Sequence, residues 1–237
     1  MADQETPIPG RRSRLRSDTG RGDINPYVLR ISEFGPIVKT AEESEALSGL
    51  WRQEMALPES APLLLEIGPG NGFFFRDLAG LMPDAGLIGM EIRFKRVWMT
   101  AKKATEAGRT NIRVVHHHAA WLGRVFAPVE LDRIYLNHPD PWPKDRHHKH
   151  RLLQVPFVAL LRGLLKPGGE FWIKSDFAPY GPLARELFAE PFWEEIGWTD
   201  DLYATPGPLL DGNIRTNYER KSLERGAKIL KAGYRRR

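Results

Sequence analysis

Three glycines at alternate positions follow the first strongly apolar run of the sequence, LLLEI. Gly68, Gly70 and Gly72 come directly after this run, and an amphipathic stretch begins at Phe73. Glycine tolerates positive φ and lets backbone N–H groups approach a ligand closely at the start of a helix. A tight turn between a strand and a helix also needs glycine, so the loop alone is compatible with either purpose.

Two glutamates flank this loop. Glu66 precedes it, and Glu91 ends the next apolar run, where a carboxylate can accept hydrogen bonds from both hydroxyls of a bound ribose. Glu91 could instead be exposed and cap the following helix beside Arg93. The loop and Glu91 together favour a ligand that contains adenosine. The spacing Gly-x-Gly-x-Gly departs from the Gly-x-Gly-x-x-Gly of dinucleotide sites, and Glu66 suits a cationic ligand, so S-adenosylmethionine is favoured over a nicotinamide cofactor.

Three prolines enclose an acid and an indole in the segment NHPDPWPKDRHHKH. Pro139, Pro141 and Pro143 leave the backbone few conformations, which would hold Asp140 in place without a regular hydrogen-bond ladder. Trp142 offers a stacking face, and an aromatic ring among cations beside an acid suits a nucleobase attached to phosphate. The alternative is a stiff turn that happens to contain an acid. The cations that follow are Lys144, Arg146, Lys149 and Arg151.

Short apolar segments alternate with longer amphipathic ones through the middle of the chain. The pattern predicts strands at 63–67, 87–91, 112–116, 132–137 and 170–174. It predicts helices at 73–81, 93–107 and 151–165, and another over AEESEALSGLWRQEM from residue 41. This alternation predicts an α/β fold with a mostly parallel sheet and helices on both faces. The glycine loop, Glu91 and Asp140 would then meet at the carboxyl edge of the sheet.

The composition predicts one globular domain with a basic start. The chain has 237 residues, of which 41% are hydrophobic and 27% charged, a formal net charge of +5 and no cysteine. We expect a flexible arm over residues 1–25, a single domain over 26–237, no membrane span and a cytoplasmic location. The clustered cations suit a polyanionic partner, or they are solvated tails. They are Arg11, Arg12, Arg14, Arg16 and Arg21 near the start, and Lys228, Lys231 and Arg235 to Arg237 near the end.

The proline segment also carries a family resemblance. NHPDPWPKDRHHKHRL resembles the signature of the tRNA (guanine-N7)-methyltransferases of bacteria and eukaryotes, and EIGPGNG, GMEIR, KSDFAPY and TNYERK follow that family's order and approximate spacing, over roughly residues 60–230. The resemblance implies a Rossmann-like class I methyltransferase with a seven-stranded sheet and S-adenosyl-L-methionine as cofactor. It also implies tRNA as the substrate, methylated on a guanosine of the variable loop, and a monomer or homodimer that needs no other subunit.

The same resemblance assigns roles to residues of this sequence. Asp140 matches the aspartate assigned to catalysis. The predicted cofactor-binding residues are Glu66, Gly68, Gly70, Glu91, Ile92, Arg93, His118, Ala119, Asn137 and Asp140. The predicted substrate-binding residues are Lys144, Asp176, Thr216, Asn217, Tyr218 and Glu219. Without the resemblance, Asp176 could equally be a helix N-cap and the TNYE run an ordinary polar strand.

Six histidines lie in two short clusters of the sequence. His118 stands where the family usually has an aspartate or asparagine, so it must donate from a ring nitrogen or leave the adenine contact to backbone groups. His116, His117 and His118 end a predicted strand, where successive side chains point to opposite faces and cannot easily converge on one ion. The other histidines, His147, His148 and His150, lie among cations that would repel a metal ion. We therefore expect no metal site.

The chemistry that these residues permit agrees with the resemblance. Guanine N7 has an exposed lone pair and no proton, so its methylation requires alignment in a desolvated pocket more than a strong base. Asp140 would accept hydrogen bonds from the guanine edge, and Asn137 and the Pro139 region would wall the cofactor. Lys144, Arg146 and Arg151 would contact phosphates. The rival functions are an NAD-dependent oxidoreductase and a non-catalytic RNA-binding module.

Overall fold

One sheet of eight strands runs through the described part of the chain, which comprises residues 25–204 and 206–237 of the computed structural model. The strands are β1 (Val38–Lys39), β2 (Leu63–Ile67), β3 (Gly86–Glu91), β4 (Ile112–His116), β5 (Leu131–Asn137), β6 (Leu165–Ser175), β7 (Trp193–Thr199) and β8 (Leu230–Arg236). Their order is β1-β4-β3-β2-β5-β6-β8-β7, and β8 runs antiparallel to both of its neighbours while the pairs from β1 to β6 are parallel. The predicted α/β class with a mostly parallel sheet is confirmed, with one strand more than the seven expected because the two-residue β1 pairs with β4.

Helices cover both faces of the sheet, as the near-continuous apolar strands require. They are α1 (Pro26–Arg30), α2 (Ala41–Ala46), α3 (Trp51–Glu54), α4 (Phe73–Leu81), α5 (Phe94–Glu106), α6 (Leu122–Val125), α7 (Val155–Leu164), α8 (Tyr180–Leu187), α9 (Pro208–Asp211) and α10 (Asn217–Glu224), with 3₁₀ helices at Ile31–Ile37, Ala119–Trp121 and Asp145–His150. One buried cluster joins α4 and α5 to one face of the sheet, and another joins α3, α6, α7 and α8 to the opposite face. Within the described ranges, no helix has the length and apolarity needed to cross a membrane.

Two predicted helices differ from the observed ones. The helix expected from residue 41 is divided into α2 and α3 because Gly49, with φ of 80°, turns the chain between them, and its N–H donates to the carboxylate of Glu130 at 3.0 Å. The helix expected over 151–165 begins only at Val155. The predicted arm over residues 1–25 lies outside the described residues except for Asn25, which is buried and caps α1.

A buried ion pair ties α10 to the middle of the sheet. The ammonium of Lys174 on β6 donates to the carboxylate of Glu219 on α10 at 2.7 Å, and neither side chain is exposed by more than 4%. The same ammonium donates to the side-chain oxygen of Asn213 (2.9 Å) and to the carbonyl of Ile214 (2.7 Å). Tyr203 donates to the other carboxylate oxygen of Glu219 at 2.6 Å. The start of α10 and the residues just before it are therefore held against β6 by an ion pair whose charged groups are hydrogen-bonded on all sides.

We predict that Lys174→Ala lowers the free energy of unfolding by about 3–5 kcal/mol, because it leaves the Glu219 carboxylate buried without its cation. Urea unfolding followed by circular dichroism measures the change. Lys221→Ala, on the exposed side of α10, is the matched control and should change the value by no more than about 0.5 kcal/mol. Equal effects of the two substitutions would show that the buried pair does not anchor this helix.

Candidate functional site

A cavity of about 700 Å³ opens at the carboxyl ends of the parallel strands. The loops after β2, β3, β4, β5 and β6 and the start of α10 all contribute to its wall. Of the residues predicted for the site, it brings together Glu66, Gly68, Gly70, Glu91, Ile92, Arg93, His118, Ala119, Asn137, Asp140, Asp176, Thr216, Asn217 and Tyr218. Lys144 and Glu219 are not among the lining residues: Lys144 is exposed before the 3₁₀ helix Asp145–His150, and Glu219 is buried behind the wall.

The glycine loop presents bare backbone to the cavity. Gly68, Gly70 and Gly72 have φ of 71°, 59° and 73°, in the left-handed region that side chains disfavour. A Cβ on Gly72 would lie 2.7 Å from the Cα of Thr100, so the loop and α5 could not pack as they do with any other residue there. The space beside Gly68 is open. The glycines therefore serve two purposes, close packing at Gly72 and an unobstructed main chain at Gly68.

Glu66 is a buried carboxylate with one oxygen left without a donor. Its Oε1 accepts a hydrogen bond from the amide of Asn137 at 3.0 Å, whereas its Oε2 is buried and has no partner among the described residues. Burial raises the pKa of Glu66 to about 8, although the Asn137 hydrogen bond and the charge of Lys174 oppose the shift. A buried oxygen of this kind requires a partner, so the wall at Glu66 is suited to a cationic ligand group.

Glu91 is held by the main chain at the start of α5. It is 8% exposed, and its Oε1 accepts hydrogen bonds from the N–H groups of Ile92 (2.9 Å) and Arg93 (3.0 Å). Burial raises the pKa of Glu91 even though the N–H groups of Arg93, Ile92 and Gly70 favour the charged form. The alternative of an exposed glutamate is excluded. The two residues after Glu91 thus orient its carboxylate through their backbone rather than through their side chains.

The three consecutive histidines have three different surroundings. The ring of His116 stacks on Phe94 at 3.7 Å, whereas Nε2 of His117 lies 2.9 Å from the carboxylate of Glu45. Nδ1 of His118 accepts the N–H of Ala120 at 2.9 Å and so caps the 3₁₀ helix that follows. Because Nδ1 accepts, the proton of the neutral His118 ring is on Nε2, which makes that nitrogen a donor. Across residues 25–204 and 206–237, no group of three or more potential ligands is arranged to hold a metal ion.

The proline segment is strained and braced. His138 and Trp142 have φ of 48° and 41°, which costs about 1–3 kcal/mol each for residues other than glycine. The hydroxyl of Tyr180 donates to the main-chain oxygen of Asp140 at 2.7 Å. Arg151 donates to the carbonyls of Pro141 (2.9 Å) and Trp142 (3.2 Å). Arg151, expected from sequence to contact phosphate, therefore uses its guanidinium to hold this segment in shape.

Asp140 itself stands at the mouth of the cavity. Its side chain is exposed and accepts no hydrogen bond from any described residue. The prolines and the hydrogen bond from Tyr180 fix only the main chain of Asp140, so its carboxylate has no hydrogen-bond donor among the described residues. That leaves Asp140 able to accept hydrogen bonds from a ligand at the cavity entrance.

Asp176 belongs to a small polar cluster that the sequence does not reveal. Its Oδ2 accepts the hydroxyl of Ser222 at 2.6 Å, and its Oδ1 lies 3.5 Å from Nδ1 of His138. These contacts, His138 first and Ser222 second, hold the pKa of Asp176 well below its usual range, so the group is ionised. The ring of Tyr218 lies nearly parallel to that of His138, with centroids 6.0 Å apart. His138 was visible in the sequence only as part of the proline motif, and nothing in the sequence marked Ser222.

The TNYE run begins α10 and is not a strand. Oγ1 of Thr216 accepts the N–H of Glu219 at 2.9 Å, and the Glu219 carboxylate accepts the N–H of Thr216 at 3.0 Å, which completes a capping box. Thr216, Asn217 and Tyr218 consequently line the cavity while Glu219 points inward to Lys174. The capping spacing of a threonine and a glutamate three residues later was the available signal for a helix start.

The sequence is similar to those of known methyltransferases. Residues 60–232 match the family model described as "Putative methyltransferase". A tRNA (guanine-N(7)-)-methyltransferase of Lactiplantibacillus plantarum is 34% identical, with 83% of this chain and 89% of that protein covered. A protein of the same name from Burkholderia cenocepacia is 34% identical, with 100% of this chain and 89% of the relative covered.

Solved structures resemble this fold at low sequence identity. The 16S rRNA methyltransferase KamB matches with a TM-score of 0.54 at 14% identity, over 83% of this chain and 93% of that one. TrmN from Thermus thermophilus matches with a TM-score of 0.54 at 17% identity, over 87% of this chain and 53% of that one. These structures support the class I methyltransferase fold. The family is shown by the sequence relatives, which are more than 30% identical along most of the chain. The chain belongs to the tRNA (guanine-N7)-methyltransferase family.

Proposed function

We propose that this protein transfers the methyl group of S-adenosylmethionine to N7 of a guanosine in the variable loop of tRNA, without another subunit. The observation that carries the proposal is that the two buried acids, Glu66 and Glu91, and the braced Asp140 line a single cavity. The names of the relatives support the guanine N7 atom as the target. The cations around the cavity mouth support a polyanionic substrate.

The residues of the cavity fit S-adenosylmethionine. The unpartnered Oε2 of Glu66 suits the ammonium group of its methionine part, and the carboxylate of Glu91 suits its ribose hydroxyls. The bare backbone at Gly68 and Gly70 allows close approach of the main chain. His118 lines the cavity with its Nδ1 engaged by the N–H of Ala120, so a contact of its ring with the adenine would use Nε2, where an aspartate would accept instead. When bound, the cofactor supplies an electrophilic methyl group.

The protein's part in the reaction is alignment. Guanine N7 needs no deprotonation, so Asp140 serves by accepting hydrogen bonds from the guanine edge and keeping N7 in line. Methylation leaves the base with a positive charge, which the carboxylates of Asp140 and Asp176 stabilise as it develops. Tyr218 and Trp142 provide aromatic faces against which the base can stack. The strain at His138 and Trp142 is the cost of holding Asp140 at the entrance.

The direct test uses unmodified tRNA and a labelled methyl donor. We expect label in tRNA and strand scission at one guanosine of the variable loop after chemistry specific for N7-methylguanosine. Asp140→Ala should abolish this signal while S-adenosylmethionine binding persists, because Asp140 holds the base and not the cofactor's charged end. Label on another atom, or full activity of Asp140→Ala, would contradict the proposal. Binding of NAD in place of S-adenosylmethionine would favour an oxidoreductase.

Cofactor binding should release a proton at pH 7. With a pKa of about 8, Glu66 is mostly protonated in the free protein, and a bound ammonium requires its ionised form. The affinity for S-adenosylmethionine should therefore rise by roughly tenfold per pH unit between pH 6 and 7, because the ionised fraction of Glu66 increases over this range. Calorimetry in two buffers of different ionisation enthalpy counts the protons. Glu66→Gln should bind more weakly, release none and show no such pH dependence; a wild-type protein that releases no proton would remove Glu66 from this role.

Arg151→Ala should slow methyl transfer without changing how tRNA binding depends on salt. The guanidinium of Arg151 donates to the carbonyls of Pro141 and Trp142. Its removal should leave Asp140 less well positioned and lower kcat by about a hundredfold. Arg146→Ala is the matched control, because an exposed cation that touches phosphate should reduce the salt slope by about 1 instead. Arg151→Lys restores the charge but not the two-carbonyl clamp and should not rescue kcat. A reduced salt slope for Arg151→Ala would return this residue to phosphate binding.

A further inference from the structure

A group of cations lies on the outer side of α5 and on the neighbouring α1, beside the cavity described above. We define the α5 basic face as Arg30, Arg93, Lys95, Arg96, Lys102 and Lys103. Two carboxylates accompany these six cations, since Glu33 pairs with Arg30 at 2.8 Å and Glu106 pairs with Lys102 at 2.6 Å. The surface is therefore strongly positive, as a binding surface for a polyanion must be.

Aromatic rings hold most of these cations in defined positions. The guanidinium of Arg30 lies 4.1 Å from the ring centre of Trp98, and the ammonium of Lys102 lies 5.5 Å from the same ring. Lys95 lies 5.8 Å from the ring centre of Tyr27 on α1. Such contacts restrict long side chains that would otherwise be free. The charges are thus partly organised before any partner arrives, unlike those of an ordinary solvated helix face.

The α5 basic face is continuous with the cavity. Arg93 and Arg96 line the cavity directly. Phe73 lines it as well, and the ammonium of Lys103 lies 3.9 Å from the centre of the Phe73 ring. From Arg93 to Lys102 the helix rises about 14 Å, which is the span of two to three backbone phosphates. The helix therefore offers contacts to the phosphates of a strand whose base enters the cavity.

The two ion pairs of this surface do not prevent binding. The side chains of Arg30, Glu33, Lys102 and Glu106 are all more than two-fifths exposed. Exposed pairs of this kind contribute little free energy and are screened by salt. Phosphate oxygens can therefore replace the carboxylates as partners, because the cations are held by the rings and need not move.

We propose that the α5 basic face binds the sugar-phosphate backbone of the RNA whose base enters the cavity. The proposal rests on the proposed function for the identity of the RNA as tRNA. An acidic protein could use the same charges, but continuity with a cavity that has aromatic faces for a base favours nucleic acid. The α5 basic face contacts phosphates and not base edges, so its contribution to the affinity for RNA is independent of base sequence.

The test compares two double charge reversals that change the net charge equally. Lys95→Glu/Lys102→Glu alters the α5 basic face. Arg162→Glu/Arg185→Glu alters two cations that also lie over rings, at 4.2 Å from Phe192 and 3.8 Å from Trp198, towards the β7 and β8 end of the sheet. Fluorescence anisotropy with unmodified tRNA between 50 and 200 mM salt gives the affinity and the salt slope. Lys95→Gln/Lys102→Gln and thermal melting exclude misfolding as the cause.

We expect the α5 reversal to weaken tRNA binding by about 10- to 100-fold and to lower the salt slope by about 2, because two phosphate contacts are lost. The distant reversal should change the affinity by less than about threefold, since it lies beyond the screening length. Unchanged binding by the α5 variant, or equal losses in both variants, would overturn the proposal. If the wild-type protein binds tRNA through this face yet forms no N7-methylguanosine, the proposed function fails and the surface assignment stands.

Discussion

The parallel register of β2 with β3 and β5 is the constraint on which the cavity depends. Glu66 pairs with Gly89 on one side and Tyr135 on the other, so these three strands end together at one edge. All five residues of β2 are buried, and the register is therefore fixed by apolar contact on both faces. A shift of one residue would turn Glu66 to the opposite face and separate it from Asn137. This packing sets the backbone positions of Glu66 and Glu91, and their hydrogen bonds then orient the carboxylates.

That placement lowers the stability that these residues could otherwise contribute. Burial raises the pKa of Glu66 to about 8, so the folded protein holds this proton more tightly than the unfolded chain does. The contribution of this proton to the free energy of unfolding is therefore largest below the pKa of an unfolded glutamate. It is lost as the pH rises towards 8, where the buried carboxyl must ionise. Left-handed backbone at His138 and Trp142 adds further strain close by. The buried pair of Lys174 and Glu219 and the hydrogen bonds of Arg151 hold the two sides of the cavity in position.

The sequence predicted β2 to β6 well because each contains a short apolar run flanked by polar residues, glycine or proline. It did not locate β7 and β8, in which glycines and charged residues interrupt the apolar pattern, nor the two-residue β1. The sequence motifs predicted most of the residues that line the cavity, but not the contacts that these residues make. Arg151 and Glu219 show the limit, since both have charges expected to face a ligand and both use them in contacts within the protein. Only long-range packing decides between those orientations.

The position of β8 bears on when the active form arises during synthesis. Although β8 (Leu230–Arg236) is made after every other strand, it lies between β6 and β7 rather than at an edge of the sheet. The nascent chain therefore emerges from the ribosome with β6 lacking one neighbour until β8 follows, although the partners that anchor α10 have already been made. The amino-terminal half can collapse early around β2 and β3, but β7, which pairs with β8, can join the sheet only after β8 has been made.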